Sequence, residues 1–493
     1  MAENNSIGNR LCEKQLLLPF NTACRQEEPA AGNRNGTSLN NAGSYGYYWS
    51  GSLNESNSNN AWNLNVNING NHNVNNNNNR KYGHSVRPDR EIARSVPVSS
   101  YKRYELTKEQ LLVDLFRAYK DARRHKRRKI KQVEFEMDME TRLVELRDEL
   151  WDRTYRPGAS MCFIIKEPKK REVFAAEFKD RIVHHLYYNY ASPVFERTFI
   201  EDSYSCRKGK GTHFGVKRLV SHIRSCSDNY RRNCYVLKCD IKGYFMNIDR
   251  KRLLKICNES LDRMAFHESN TRGKKWAEIV DFEFVKYLGE VIILNDPVEN
   301  CILKGSETDW NGLPESKSLF KTAKGCGLPI GNLTSQLFSN VYMNVFDRFV
   351  KRQCGQYHYG RYVDDAYIVN ESKQELRSLI DVLRLSLKDK LGLKLHPDKT
   401  TIQKVGYGVE FLGVYVKPYR EYVRNSTKIR IRKAVNGLLG ATREKMEHSV
   451  NSYLGIMGHC RSYNLRRKIF CSNASIMSNG NFDTSMKKYR KLF

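Results

Sequence analysis

The chain of 493 residues contains no apolar run long enough to cross a membrane. A helix needs roughly 20 consecutive apolar residues to span a bilayer, and the short run Leu16-Leu17-Leu18 has polar and charged neighbours. The thirteen cysteines are scattered and include no Cys-x-x-Cys pair, which argues against a zinc knuckle and against a disulfide framework. These absences predict a soluble protein of a reducing cytoplasm, with no membrane partner.

Acidic residues are few beside basic ones, with 54 Asp and Glu against 84 Lys and Arg and a formal net charge of +30. Residues 1–100 carry nine Lys and Arg against seven Asp and Glu, so nearly all of the excess lies in residues 101–493. A positive charge spread over such a long stretch indicates a polyanionic partner, and a nucleic-acid backbone is the obvious candidate.

The first hundred residues differ in composition from the rest of the chain. Asn dominates residues 54–79, and Asn-rich polar sequence buries little surface and is commonly disordered. We therefore predict a low-complexity, disordered segment over residues 1–100. One alternative stays open, because residues 62–69 alternate as a strand does and Tyr82 to Pro88 could close a sheet.

Residues 106–152 have the apolar spacing of helices on either side of a basic run, Arg123 to Lys129. The expected core positions are Leu111, Leu112, Leu115 and Tyr119, then Leu143, Leu146, Leu150 and Trp151. A run of basic side chains in so basic a protein favours contact with nucleic acid.

Two adjacent acids, Asp364 and Asp365, lie between β-forming runs at 356–363 and 366–369. The pattern predicts a hairpin with Asp-Asp as its connection, where Asn-Gly or Asp-Gly would be the better turn. A third acid, Asp240, ends another strand-like run. Each acid alone could be a solvated turn or a cap. Together they form the three-carboxylate set that two-metal phosphoryl transfer requires, and Mg²⁺ prefers such oxygen ligands.

Over residues 101–493 these acids stand in motifs that resemble those of reverse transcriptases. Asp240 is similar to the first metal ligand of motif A, and Tyr362-Val363-Asp364-Asp365 is similar to the Tyr-x-Asp-Asp box. The resemblance implies an α+β right-hand fold with fingers, a palm built on an antiparallel sheet, and a short helical thumb. It implies N-terminal helices and fingers over 101–235, a palm over 236–424 and a thumb over 425–493.

The resemblance also implies a metal site and a catalytic set. The metal site would hold two Mg²⁺ ions, or Mn²⁺ in their place, at Asp240, Ile241, Asp364 and Asp365. Lys399 resembles the motif D residue that gives a proton to pyrophosphate, so it joins the three acids as a catalytic residue. Phe245 resembles the steric gate, whose ring fills the space of a ribonucleotide 2′-hydroxyl, which implies deoxynucleotide substrates.

Other positions resemble substrate-binding residues of the family. In the fingers, Lys166, Arg171 and Arg181 would hold the incoming triphosphate, although Lys169 and Lys170 compete with Arg171 for that role. The basic loop 205–211 would approach the template, residues 411–413 resemble the primer grip, and the basic helix after residue 424 would contact the duplex.

The segment from Gly327 to Gln336 distinguishes subfamilies. Group II intron enzymes have Gln before Gly331 and Ser-Pro at the end of the segment, whereas this chain has Ile330 and Ser335-Gln336. This ending resembles the reverse transcriptases of diversity-generating retroelements, which copy a template RNA inaccurately at adenines. Ile330 would then lie near the nascent base pair, and Ile330, Gly331 and Gln336 would be substrate-binding residues.

The implied partners are a template RNA, the cDNA and its RNA–DNA hybrid, dNTPs, and a small basic helical accessory protein. Residues 45–90 resemble a template repeat translated in frame. Two alternatives stay open: another prokaryotic reverse transcriptase of the group II intron or retron type, and a non-catalytic RNA-binding scaffold. The sequence does not identify the copied RNA, the primer, the target gene or the oligomeric state.

Overall fold

The computed structural model divides the chain into two compact units, Met1–Tyr101 and Lys102–Phe493. It describes the backbone of five strands within residues 33–75 and, with side chains, residues 103–124, 130–167, 169–271 and 273–492. The division falls at Tyr101, where the composition changes. Among these residues, no helix has the length and apolar character needed to cross a membrane.

The first unit contains short antiparallel strands. Strands β1 (Asn33–Asn35) and β2 (Ser38–Asn40) pair with each other, and β3 (Tyr45–Leu53), β4 (Ala61–Asn67) and β5 (His72–Asn75) form a sheet in that order. The predicted alternation from Trp62 falls on β4. Residues 82–88 lie outside the described residues, and disorder of residues 1–100 stays a prediction.

The second unit combines helices with antiparallel sheets, which confirms the predicted α+β class. Its helices are α1 (Lys108–Arg123), α2 (Ile130–Glu136), α3 (Met139–Trp151), α4 (Phe178–Glu196), α5 (Thr212–Cys226), α6 (Arg250–Ala265), α7 (Phe282–Leu294), α8 (Leu333–Arg348), α9 (Lys373–Leu391), α10 (Asn425–Asn436), α11 (Arg443–Gly458), α12 (Tyr463–Phe470) and α13 (Ala474–Asn479). Its strands are β6 (Ser160–Ile165), β7 (Arg171–Ala175), β8 (Tyr235–Cys239), β9 (Cys301–Leu303), β10 (Tyr359–Tyr362), β11 (Asp365–Asn370), β12 (Thr401–Lys404), β13 (Val409–Phe411), β14 (Val414–Lys417), β15 (Arg420–Val423), β16 (Gly480–Phe482) and β17 (Tyr489–Lys491).

The helical region after residue 106 contains three helices where the sequence predicted two. Leu111 and Leu115 are fully buried as predicted, but Trp151, which was expected in the core, is 39% exposed. Arg123 at the end of α1 pairs with Glu136 at the end of α2, so the extra helix folds back on the first. Residues 125–129 of the basic run lie outside the described residues.

The palm sheet has the strand order β10-β11-β8-β12, and all three pairings are antiparallel. Consecutive residues of β11, Tyr367 and Ile368, belong to different hydrophobic clusters, because side chains alternate across a strand. The sheet therefore has apolar packing on both faces. Helices α6 and α8 contribute to the first cluster, and α5 and the thumb helices contribute to the second.

Two smaller sheets lie apart from the palm sheet. In the fingers, β6 pairs antiparallel with β7 and parallel with β9. After β12, the strands β13, β14 and β15 form an antiparallel sheet from which α10 departs. The predicted limits at residues 235 and 424 fall beside the starts of β8 and α10, and the subdomain assignment stays a prediction.

A fully buried ion pair joins α8 to the palm sheet. Arg361 and Asp347 are each 1% exposed, and two of the guanidinium nitrogens of Arg361 lie 2.7 Å from the two carboxylate oxygens of Asp347. The Tyr359 hydroxyl also donates to Asp347. A buried charge is tolerated when it is paired and hydrogen-bonded, and both conditions are met here.

We expect Asp347→Ala to lower the free energy of unfolding by about 3 to 5 kcal/mol, because it leaves the Arg361 charge buried and unpaired. The matched control is Asp381→Ala, which breaks an exposed pair with Arg384 and should change stability by less than about 1 kcal/mol. Urea denaturation followed by circular dichroism measures both. Equal losses in the two variants would contradict the assigned importance of the buried pair.

Candidate active site

The acidic hairpin forms at the end of the palm sheet, with a register that differs from the predicted one. Tyr362 pairs with Asp365, so the two-residue turn is Val363-Asp364 and Asp365 is the first residue of β11. The prediction of an Asp-Asp turn was wrong by one position. Val363 has a φ of 57°, which is rare for a β-branched residue, and the guanidinium of Arg361 holds its carbonyl oxygen at 2.8 Å.

Strand pairing places Asp240 next to this turn. Ala366 of β11 pairs with Cys239 of β8 in an antiparallel register. Asp365, which precedes Ala366, therefore lies beside Asp240, which follows Cys239, at the end of the sheet. The His396 amide donates to the Asp240 carbonyl at 2.7 Å and the Lys242 amide donates to Lys394. The carbonyl oxygen of Ile241, the fourth residue of the predicted metal site, accepts neither of these two hydrogen bonds.

The three acids share a strongly negative site. Burial is the largest cause that raises the pKa of Asp364, and together with the charges of Asp365 and Asp240 it brings that pKa to about 6. Burial and the charge of Asp240 also raise the pKa of Asp365. The repulsion between these carboxylates is the condition that a bound cation would relieve.

Lys399 is the cation that the structure itself supplies. Its ammonium nitrogen lies 2.8 Å from a carboxylate oxygen of Asp240, and that bond raises the pKa of Lys399. Within the described residues, no group of three or more His, Cys, Asp or Glu side chains has the geometry to hold a metal ion. The carboxylate oxygens nevertheless suit Mg²⁺ or Mn²⁺ by chemistry and by their excess of negative charge.

Lys238 is a charged neighbour that the sequence analysis did not select. It lies two residues before Asp240 on β8, hence on the same face of the strand, and its charge lowers the pKa of Asp365. Burial lowers the pKa of Lys238 itself. The spacing of two residues was the signal that could have identified it.

Phe245 and Ile330, two of the residues expected near the nucleotide, lie beside one small apolar cluster. Phe245 lies in a 3₁₀ turn, Tyr244–Asn247, and is half-buried. Phe245 and Ile330 both pack against that cluster. Its buried members are Cys162, Phe174, Met246 and Leu319. Backbone hydrogen bonds of 2.9 Å join Leu328 to Phe245 and Phe174 to Ile330, so the backbone at both positions is tied to residues around this cluster.

Gly331 and Gln336 occupy different surroundings. Gly331 has a φ of 132°, and a Cβ atom there would lie 2.7 Å from the Phe174 carbonyl oxygen, so only glycine fits. Gln336 is exposed on α8, one residue after the buried Ser335.

The fingers cations divide into two groups. Lys166 forms an ion pair with Asp309 at 2.8 Å, and Lys170 donates to the Asn311 carbonyl at 2.6 Å. Lys169 instead lies near enough to Asp365 to lower the pKa of that carboxyl.

The two arginines that were predicted to hold the triphosphate, Arg171 and Arg181, also differ in their surroundings. Arg171 is exposed at the start of β7. Arg181 donates to the Ala176 carbonyl, and burial lowers its pKa. Lys169 and Arg171 are therefore better placed than Lys166 and Lys170 to meet a triphosphate.

The other predicted nucleic-acid contacts vary in availability. In the loop 205–211, Arg207 pairs with Glu196 and Lys210 pairs with Glu201. These ion pairs neutralise much of the positive charge of the loop. Of residues 411–413, Phe411 ends β13, and Leu412 and Gly413 form the turn to β14. On α10, the exposed basic side chains are Arg430, Arg432 and Lys433.

One family model matches the chain, and several known proteins are similar to it. Residues 165–416, slightly more than half of the chain, match the family model described as reverse transcriptase (RNA-dependent DNA polymerase). Protein YkfC of Escherichia coli is 25% identical over 302 residues, which cover 54% of this chain and 69% of YkfC. The group II intron-encoded protein LtrA of Lactococcus lactis is 22% identical over 327 residues, which cover 60% of this chain and 53% of LtrA.

Solved structures of telomerase also align with the chain. Apo telomerase from Candida tropicalis, truncated from its C-terminal domain, aligns with a TM-score of 0.38 and 12% identity, over 56% of this chain and 58% of that chain. Telomerase from Candida albicans aligns with a TM-score of 0.39 and 12% identity, over 65% and 56% of the two chains. The chain thus spans little more than half the length of LtrA and of these telomerases.

We expect Asp364→Asn to melt at a higher temperature than the wild type near pH 7.5 without divalent cations. The folded-state pKa of about 6 lies above the ordinary 3.8, so the wild type loses stability as the pH rises from about 4 through 6. The variant lacks this loss, and the difference should vanish near pH 4. Thermal melts over this pH range measure it, with Asp381→Asn as an exposed control.

The same melts with added Mg²⁺ test the cation site. Mg²⁺ should raise the melting temperature of the wild type by relieving the repulsion among the acids, and it should raise that of Asp364→Asn less. An equal rise in both proteins would contradict a metal site at these carboxylates.

Proposed function

Because the chain belongs to the family of reverse transcriptases (RNA-dependent DNA polymerases), we propose that it copies a template RNA into cDNA by divalent-metal-dependent nucleotidyl transfer from dNTPs. The observation that supports this most is the convergence of Asp240, Asp364 and Asp365 beside Lys399 at one end of the palm sheet. The broad positive charge of the second unit suits the RNA template and the RNA–DNA hybrid product.

The proposed metal site comprises the three acids and the carbonyl of Ile241. Mg²⁺ there, or Mn²⁺, would activate the primer 3′-hydroxyl and neutralise the departing pyrophosphate. Lys399, whose ammonium lies beside Asp240, would be the proton donor to the leaving group. Lys169 and Arg171 would hold the triphosphate, and the ring of Phe245 would exclude a 2′-hydroxyl.

The subtype that the residues favour is the error-prone enzyme of a diversity-generating retroelement. Ile330 borders an apolar cluster and has no side-chain polar atom with which to check a base pair, where group II intron enzymes carry Gln. On this proposal residues 45–90 are a translated template repeat, and a small basic helical protein is the accessory partner. The second candidate is a group II intron-like enzyme, which the similarity to LtrA favours.

We expect a variant carrying Asp364→Ala and Asp365→Ala to incorporate no dNTP while still binding RNA, because the basic surface is unchanged. Primer extension on an RNA template with Mg²⁺, together with filter binding at fixed salt, measures the two properties separately. Asp381→Ala is the control and should extend primers as the wild type does. A wild-type protein that binds RNA and extends no primer with Mg²⁺ or Mn²⁺ would instead be an RNA-binding scaffold.

We expect Ile330→Gln to lower the error frequency opposite template adenine by about tenfold, because a polar side chain restores a hydrogen-bonding check on the base pair. Sequencing of the cDNA made from a defined RNA measures the errors by template base. The control is Ile302→Gln, which makes the same change at an exposed isoleucine of β9. An unchanged adenine error frequency would contradict this role of Ile330.

A further inference from the structure

A segment between β9 and α8, residues 304–324, folds back onto the fingers sheet, where a buried carboxylate binds it in addition to the exposed contacts of Lys166 and Lys170. We call it the covering segment. Glu172 lies on β7 and is 1% exposed. Its oxygens accept three hydrogen bonds from the covering segment: from Trp310 Nε1 at 2.8 Å, from Ser318 Oγ at 2.9 Å and from the Leu319 amide at 2.6 Å.

These three bonds are the reason that Glu172 can be buried. A carboxylate removed from water is destabilising unless its oxygens are hydrogen-bonded, and here the donors all come from one segment remote in sequence. The dependence is mutual, because a buried donor that loses its acceptor also carries a penalty. Glu172 therefore fixes where the covering segment lies on β7.

Trp310 and Leu319, which donate to Glu172, also belong to the packing around the apolar cluster that Phe245 and Ile330 contact. Leu319 is a buried member of the apolar cluster, and Trp310 packs against it from outside. Phe245 and Ile330 pack against the same cluster. A shift of the covering segment would therefore move the support of both side chains.

Close backbone contacts make this coupling stiff. A Cβ atom at Gly327 would lie 2.4 Å from a methyl carbon of Leu319, so the chain leading into Ile330 lies directly on the covering segment. At Gly243, two residues before Phe245, a Cβ atom would lie 3.2 Å from the Ser316 carbonyl oxygen. Both approaches require glycine, since both residues have positive φ.

We propose that Glu172 is a positioning residue for nucleotide selection: through the covering segment it fixes the places of Phe245 and Ile330, and thereby sets the discrimination between deoxynucleotides and ribonucleotides. This inference rests on the proposed polymerase function. Glu172 acts through Trp310 and Leu319, because its own buried carboxylate is consumed by the bonds to the covering segment. A displacement well under the size of a hydroxyl group is enough to weaken a steric gate.

The test compares Glu172→Gln, Trp310→Phe and the control Glu315→Gln. The control removes the same charge from an exposed position of the covering segment. We measure kcat/KM for a dNTP and for the matching rNTP on one primed RNA template. Glu172→Gln should lower the dNTP-to-rNTP ratio by about tenfold, Trp310→Phe, which removes a single donor, should lower it less, and Glu315→Gln should leave it unchanged.

The ratio separates positioning from mere support of the fold. Loss of stability alone lowers both kcat/KM values together, so an unchanged ratio in Glu172→Gln and Trp310→Phe would overturn the inference whatever their melting temperatures. If Glu172→Gln fails to fold, Trp310→Phe decides the question. Extension by the wild type with dNTPs, measured in the same reactions, tests the proposed function separately, so the two failures are distinguishable.

Discussion

The buried pair of Arg361 and Asp347 determines where the catalytic turn lies. Asp347 fixes the Arg361 guanidinium between α8 and β10, and the remaining nitrogen donates to the Val363 carbonyl. A β-branched residue at positive φ persists only where its surroundings hold it. Without that bond the turn would be free to take the predicted Asp-Asp register, which would turn the side chains of β11 to the opposite faces of the sheet.

The held turn has an electrostatic consequence. It keeps Asp364 and Asp365 beside Asp240, and burial together with the resulting repulsion raises the pKa values of Asp364 and Asp365. Lys399 and Lys238 offset part of that repulsion. A divalent cation binding among these carboxylates would gain the energy of relieving the rest, so the rigidity supplied by the buried pair also favours metal affinity.

Local sequence patterns predicted much of the fold and of the site. The helical spacing of Leu111 and Leu115, the acids at strand ends and the basic surface of α10 are all properties of neighbouring residues, and each is present. The turn register depends on Arg361 and the partner of Lys170 lies 141 residues away. Such contacts leave no periodicity in the chain, which is why Val363-Asp364, α2 and the roles of Lys169 and Glu172 did not follow from it.

The acids and the nucleotide-selecting residues rest on different supports. The acids depend on a buried polar network behind the hairpin, whereas Phe245 and Ile330 depend on an apolar cluster closed by the covering segment. Changes at separate supports combine nearly additively when they share no partners. On the proposed function, changes in the covering segment would alter which nucleotide is accepted without moving the carboxylates that we propose to perform the transfer.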